Sequence, residues 1–202
     1  TYFMPEIVFI MGKSASGKDK IYKNLLSDDE LNLKPIIMYT TRPMRVGEKN
    51  GVEYYYVTDE FADDMIKQNK IVEMRSYDTV CGVWRYFTVD DGQINLYNKE
   101  KYIVIGTLEA YEKYCQYYGN QHFLPIYIEV DDGVRLSRAL HREMKQKQPR
   151  YDEMCRRYLA DMKDFAEENI EKNHIKVRYY NNGELSDCIN NIKAAIKNCD
   201  IS

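Results

Sequence analysis

Ile7-Val8-Phe9-Ile10-Met11-Gly12-Lys13-Ser14-Ala15-Ser16-Gly17-Lys18 is the stretch whose reading decides the fold of this chain. Residues 7–11 form a short, continuous apolar run, the pattern of a parallel strand buried on both faces. Gly12 to Lys18 then fits GxxxxGK, and the residues beyond it carry Ile21, Leu25 and Leu26 on one face of a helix. Strand, glycine loop and helix in that order make a phosphate-binding loop. The glycines let the backbone N–H groups of Lys13, Ser14, Ala15 and Ser16 close around phosphate oxygens, and the helix N-terminus adds a favourable dipole. Lys18 supplies a mobile positive charge. Asp19 follows, where a Ser or Thr hydroxyl usually meets Mg²⁺; a carboxylate is also a hard oxygen donor and can ligate that ion. The plain alternative is a glycine-rich turn with Asp19 capping the helix.

Outward from the loop, the chain alternates. Residues 35–39 read as a second strand, and 40–45 as a polar turn. Residues 52–57 are aromatic and β-prone, 61–67 suit a short helix, and 71–74 and 85–89 suit further strands. Buried-strand runs return at 102–105, 124–130 and 175–179. Helical patterns fall at 108–118, 134–147, 152–168 and 185–196. Pro149 breaks the second of these, the strongly basic 134–147, and the third, over 152–168, has Met154, Tyr158, Met162 and Phe165 as its expected buried stripe. Such alternation predicts a three-layer α/β core, with the β-rich stretch at 38–89 inserted as a lobe.

Bulk properties narrow the classes. The 202 residues suit one α/β domain, and a net charge of -3 gives no general reason to expect nucleic-acid binding. No apolar run approaches a membrane span, so no membrane partner is expected. The first strand begins so early that no room is left for a signal peptide. Cys81, Cys115, Cys155, Cys188 and Cys199 are odd in number and contain no CxxC pair, which fits a reduced, cytoplasmic setting better than a disulfide framework or a zinc ribbon.

Thr40-Thr41-Arg42-Pro43-Met44-Arg45-Val46-Gly47-Glu48, followed by Gly51-Val52-Glu53-Tyr54-Tyr55-Tyr56-Val57, is similar to the acceptor-binding segment of guanylate kinase, roughly TTRxxRxGExxGxxYxF. Spacing and order both match, and in weaker form the resemblance runs over essentially the whole chain. It implies a P-loop nucleoside-monophosphate kinase. The fold expected is a three-layer P-loop NTPase fold with a mainly parallel sheet: a core at about 4–37, 90–133 and 170–202, an acceptor-binding lobe at about 38–89, and a helical lid at about 134–169. It implies Mg²⁺ with ATP as cofactor, GMP or dGMP as acceptor, small-molecule nucleotides as partners, and a monomer or homodimer.

Site roles follow from the same resemblance. Gly12 to Asp19 would hold ATP, with Asp19 on the metal and Asn181 beside the adenine. Arg42 and Arg45 would grip the acceptor phosphate, two guanidinium forks matching phosphate oxygens, with the Tyr54 hydroxyl adding a donor. Glu73 would accept hydrogen bonds from the guanine edge, and Gly82 would belong to the acceptor-binding residues. Lys18 with the lid arginines Arg138, Arg142 and Arg157 would stabilise the transferring phosphoryl group; Arg150 and Arg156 lie close by. Read without the resemblance, the same residues are a solvated basic loop, an exposed polar strand position, a basic helix hairpin and an Asn-Asn-Gly turn.

The chain also departs from the family pattern. Cys81-Gly82-Val83 stands where the family has Tyr-Gly-Ser/Thr, Met38 falls where it has an early serine, and Ile105-Gly106-Thr107-Leu108-Glu109 lacks the acid expected after the middle strand. Asp19 is a candidate replacement acid. Trp84 and Arg85 are candidates for reshaping the acceptor pocket, by stacking and by phosphate pairing; the alternative is an exposed hairpin with Trp84 in a small apolar cluster. Three functions stay open on the sequence: a GMP or dGMP kinase, a P-loop kinase with another small-molecule acceptor, and a non-catalytic binding module of guanylate-kinase type.

Overall fold

A computed structural model of the chain describes residues 5–199. Position 4 and positions 200–202 of the expected core lie outside the described residues. The chain runs β1 (Ile7–Gly12), α1 (Lys18–Leu26), β2 (Leu33–Pro35), β3 (Tyr39–Thr40), β4 (Tyr55–Tyr56), α2 (Asp59–Lys67), β5 (Ile71–Thr79) and β6 (Gly82–Val89). It continues through β7 (Lys101–Ile105), α3 (Leu108–Tyr118), β8 (Phe123–Glu129), α4 (Asp132–Met144), α5 (Tyr151–Asp164), α6 (Glu167–Lys172), β9 (Arg178–Tyr180) and α7 (Leu185–Asn198).

The core sheet has the order β2-β7-β1-β8-β9, every neighbouring pair parallel. β1 lies at its centre and is buried at all six positions because both faces are covered. Val8 and Ile10 pack with Ile21 and Leu25 of α1 and with Ile189 and Ile192 of α7. Ile7, Phe9 and Met11 face the other way, into a cluster with Tyr111 and Tyr114 of α3 and with Phe165 and Ile170. This two-sided burial is why β1 reads as an unbroken apolar run rather than an alternating one. It also fixes the end of β1, where the phosphate loop begins.

A second sheet, β4-β3-β6-β5, forms the inserted lobe. The apolar run at 35–39 is therefore not one strand. Pro35 ends β2 at the edge of the core sheet, where a missing N–H does no harm. The chain then crosses to the lobe, with the Gln93 side chain bonding both the N–H and the carbonyl of Ile37. The two strands expected at 71–74 and 85–89 are the inner halves of one longer antiparallel hairpin, β5–β6. Along β6 successive side chains alternate. Phe87 joins Ala62 of α2 in a small core, and Arg85 on the same face pairs with Asp63 and Asp59 of that helix. Trp84 and Tyr86 point to the opposite face. Arg85 thus belongs to the back of the lobe, not to an acceptor pocket.

The helix expected over 152–168 is two helices. α5 ends at Asp164, and the Asn169 side chain donates to the carbonyls of Lys163 and Asp164, capping the break before α6. Of its expected buried stripe only Phe165 is buried, at 6% exposure, while Met162 is 39% exposed. α5 packs on α4 and spans the mouth of a cleft rather than lying on the sheet. The helix expected at 134–147 is α4, and the strand expected at 175–179 shortens to β9. The five cysteines are free thiols, Cys188 buried and Cys81 and Cys155 exposed.

Candidate active site

The phosphate loop is a short bridge between β1 and α1, and its backbone needs glycine twice. At Gly12 an added Cβ would come within 2.9 Å of the Ile128 carbonyl oxygen, so no side chain fits beside β8. Gly17 has φ of 86° and an Asn181 Nδ2 2.6 Å from the place a Cβ would take. Gly17 is the N-cap of α1 and offers no side chain to it, which leaves the first N–H groups of the helix without a side-chain cap. Asn181 donates from Nδ2 to the Ser16 carbonyl at 2.8 Å, and its buried Oδ1 has no partner.

The lid pins the loop from the other side. The Asp161 carboxylate of α5 accepts from the Ser14 N–H at 2.8 Å and from the Ser14 hydroxyl. Arg135 of α4, only 1% exposed, donates from Nη1 to Asp161 at 3.3 Å and to the Ser14 carbonyl at 3.4 Å. Its guanidinium carbon stacks 3.9 Å from the centre of the Tyr158 ring. Lys13 pairs with Asp132 at 3.5 Å. Arg135 and Asp161 were not among the residues singled out in the sequence. Arg135 reads there as one more cation of a basic helix, and the signal that could have found it is its spacing, one turn before Arg138.

Two cavities open on the loop. One, of about 610 Å³, is lined by Ala15, Gly17, Lys18, Asp19, Arg138, Arg142 and Asn181, so α4 presents its paired arginines to the face of the loop that Asn181 closes. The other, of about 710 Å³, lies between core, lobe and lid. Its core wall is Gly12, Ser14, Lys18, Asp19 and Thr107, its lobe wall Met38, Tyr54, Arg75, Tyr77, Trp84 and Tyr86, and its lid wall Glu153, Arg157 and Asp161. Those three lid residues lie four apart on α5 and so share one face. Lys18 and Asp19 border both cavities. Among the described residues Lys18 makes no ion pair. Arg157 is bound to Glu153 at 3.0 Å and Arg156 pairs with the same carboxylate, while Arg150 pairs with Asp152; neither Arg150 nor Arg156 lines the cleft.

The acceptor residues expected from the sequence are placed unevenly. Tyr54 lines the cleft, and Trp84 does so too. Arg42 is 3% exposed behind Tyr54, its fork closed on Glu48 by two bonds of 3.0 and 2.8 Å. Arg45 is exposed, and its backbone N–H donates to the same carboxylate. Gly82 sits at the hairpin tip with φ of 107°, off the cleft wall. Glu73 is buried, not an exposed strand position. A bulge between Ile71 and Glu73 turns Val72 and Glu73 together toward α3. Burial pushes its carboxyl up, against the pull of Arg75, whose Nε lies 3.3 Å from it, and of the Thr88 hydroxyl.

The Arg42–Glu48 pair makes a pH prediction. Hydrogen bonds from Arg42 and from the Arg45 N–H hold the Glu48 carboxyl down to about 2 from an ordinary value of 4.5. The folded state therefore binds this proton more weakly than the unfolded chain. The pair stabilises the loop above the ordinary value, and that contribution is lost as pH falls toward about 2. Glu48→Gln is expected to lower the thermal midpoint at neutral pH, and the difference from the unmodified protein should close as the medium is acidified through that window. A difference that is constant with pH would contradict it.

Parallel sheet, phosphate loop between its central strand and first helix, inserted lobe and helical lid place the chain in the P-loop class of α/β proteins. Comparison with known proteins narrows this. The guanylate kinase family model matches residues 4–83. A guanylate kinase of Porphyromonas gingivalis is 28% identical over 96% of this chain and 97% of its own length. One of Mycoplasmoides gallisepticum is 41% identical, but over 35% of this chain and 36% of that protein. In structure, a guanylate kinase from Anaplasma phagocytophilum superposes with a TM-score of 0.59 at 18% identity, covering 96% of this chain and 85% of that one. The chain is thus similar to guanylate kinases over nearly its whole length and shares their fold.

Proposed function

We propose that this protein transfers the γ-phosphoryl group of ATP to a nucleoside monophosphate, GMP or dGMP. The observation that carries the reading is that two cavities, one on each side of the phosphate loop, meet at Lys18 and Asp19. A donor nucleotide bound against Gly17, Asn181, Arg138 and Arg142 would present its terminal phosphate to an acceptor held in the cleft. Transfer of this kind needs no protein nucleophile, only positioning and neutralisation of charge. Lys18 would meet the transferring group, with Arg138 and Arg142 reaching it from the donor side. Arg157 would exchange Glu153 for phosphate as the lid closes over it and excludes water. Tyr54, backed by Arg42, and the exposed Arg45 would hold the acceptor phosphate. An intact loop favours this reading over a non-catalytic module.

Mg²⁺ fits the donor set. Among the described residues no group of three or more His, Cys, Asp or Glu could hold a metal, so the chain builds no metal cage of its own. A Mg²⁺ carried on nucleotide phosphates needs only one or two protein carboxylates, and Asp19, exposed at the head of α1 where the cavities meet, would be one. Held there by Asp19, Mg²⁺ would supply positive charge to offset that of the nucleotide phosphates. Asp19→Ala is expected to abolish Mg²⁺-dependent turnover and to weaken the Mg²⁺ dependence of ATP binding measured by titration calorimetry. Near-normal turnover in the variant would remove Asp19 from the metal.

The function is tested by ADP release with Mg·ATP against GMP, dGMP, AMP, CMP and UMP. Stimulation by GMP or dGMP alone is expected. Stimulation by a different monophosphate would keep the kinase and change its acceptor, and ATP binding without stimulation by any of them would contradict the reading.

A further inference from the structure

Arg75 is the cation that the lobe places on the cleft wall. It stands in the middle of β5, with its side chain 21% exposed, and lines both the cleft and an adjoining cavity of about 610 Å³. These two spaces share Arg75, Tyr77, Thr107, Asp161 and Phe165, so they are two parts of one acceptor cavity. Glu73, the carboxylate that the resemblance assigns to the base, does not line either part. It is 4% exposed, with one oxygen taken by Arg75 Nε and the other by the Thr88 hydroxyl. What the cavity meets is the guanidinium in front of the carboxylate.

The donors of Arg75 are unequally used. Nε is spent on Glu73, and Nη2 has only the Met38 sulfur at 3.8 Å. Nη1 makes no hydrogen bond among the described residues. Around it stand Tyr77, Trp84 and Tyr86, rings on which a planar base can stack. A guanidinium fork in such a place matches two adjacent acceptors in one plane. On a purine those are O6 and N7, the pair that arginine reads most often on guanine. Adenine carries a donor amino group at position 6 and does not match. A carboxylate would read the opposite pattern, the N1–H and N2–H₂ donors.

Resting on the proposed kinase function, we infer that Arg75 is a specificity-determining residue of the acceptor site, reading the O6/N7 edge of a 6-oxopurine monophosphate, and that Glu73 is the positioning residue that holds it. The two ways of reading guanine predict different acceptors. Hypoxanthine keeps O6 and N7 and lacks only the 2-amino group, so IMP should be a good substrate if Arg75 reads the base and a poor one if a carboxylate does. Replacing N7 by carbon removes one acceptor of the fork and leaves the N1–H and N2–H₂ edge intact.

The test is kcat/KM of the unmodified enzyme with GMP, IMP, 7-deaza-GMP and AMP, beside Arg75→Met, with ATP affinity as the measure of an intact fold because Arg75 lies outside the donor cavity. IMP is expected within about tenfold of GMP, and 7-deaza-GMP and AMP lower by about 10- to 100-fold, the range of one bidentate base contact. In Arg75→Met the GMP value should fall by a similar factor and the penalty for 7-deaza-GMP should vanish, since the two changes remove the same contact. Glu73→Gln should raise KM for GMP and leave kcat unchanged. Turnover of GMP with IMP rejected about 100-fold or more, and with 7-deaza-GMP as good as GMP, would overturn the inference alone and move base reading to a carboxylate such as Glu109 on the facing wall. Failure of every purine monophosphate in the presence of bound ATP would overturn the GMP or dGMP acceptor of the proposed function, and the inference with it.

Discussion

Lys18→Ala is expected to lower kcat by about a thousandfold while leaving the fold intact, comparable to the loss of one preorganised donor at a developing charge. Three features make the expected effect large. Among the described residues Lys18 is the only lysine that borders both cavities, so no neighbouring ammonium can take its place at the meeting point. It is committed to no ion pair among the described residues, so its charge is available to a ligand. The acids Asp19 and Asp161 share its cavity, so removing the cation leaves their charge without the one ammonium that stands among them there. Side-chain loss at this half-buried position costs little packing, so the thermal midpoint should move little. Turnover at a tenth of the normal rate or more would show that the arginines of the lid carry the phosphoryl group without it.

Arg135→Met is expected to be the most damaging single change to stability outside the apolar core. Breaking a buried ion pair on one side costs about 3–5 kcal/mol, because the partner is left desolvated and unpaired. The lower end applies here. The bonds of Arg135 are long, at 3.3 to 3.5 Å, its Nε lies 3.9 Å from Asp132 and finds no hydrogen bond, and Asp161 keeps some solvent and its two bonds from Ser14. About 3 kcal/mol corresponds to a fall of roughly 6–12 °C in the midpoint of a chain of this size. Because Arg135 touches both Ser14 and Asp161, the loss should also loosen the phosphate loop and weaken ATP binding. Differential scanning calorimetry with and without ATP separates the two. An unchanged midpoint would show that the guanidinium is accommodated there without holding the lid to the loop.

What could be read from the sequence follows how local its cause is. The strand, loop and helix at 7–26 are set by neighbours in sequence, and the structure keeps them. Arg138 and Arg142, four apart on a helix, needed only helical geometry to share a face. Asn181 lies far from Gly17 in sequence but arrives through the last strand of an ordinary parallel sheet. The failures are of another kind. The run at 35–39 is apolar throughout, and nothing local marks the point where it passes from one sheet to the other. α5 and α6 are separated without glycine or proline, through a cap that Asn169 supplies from beyond the break. Arg85 and Trp84 look alike as candidates, yet adjacent residues of a strand face opposite ways, and only the pairing with α2 shows which is which. Glu73 is turned inward by a bulge, and Arg135 is buried by a tyrosine and an aspartate from the next helix. Both depend on contacts that no sequence window contains.

The most direct test of the central claim, that a phosphoryl group crosses from donor to acceptor at Lys18 and Asp19, is transfer of label from [γ-³²P]ATP with GMP as acceptor. The label is expected in the β position of GDP, in step with ADP formation, and lost in Lys18→Ala. Label appearing only as inorganic phosphate, at a rate indifferent to GMP, would show that water and not a nucleotide receives the group, and would contradict the assignment of the second cavity.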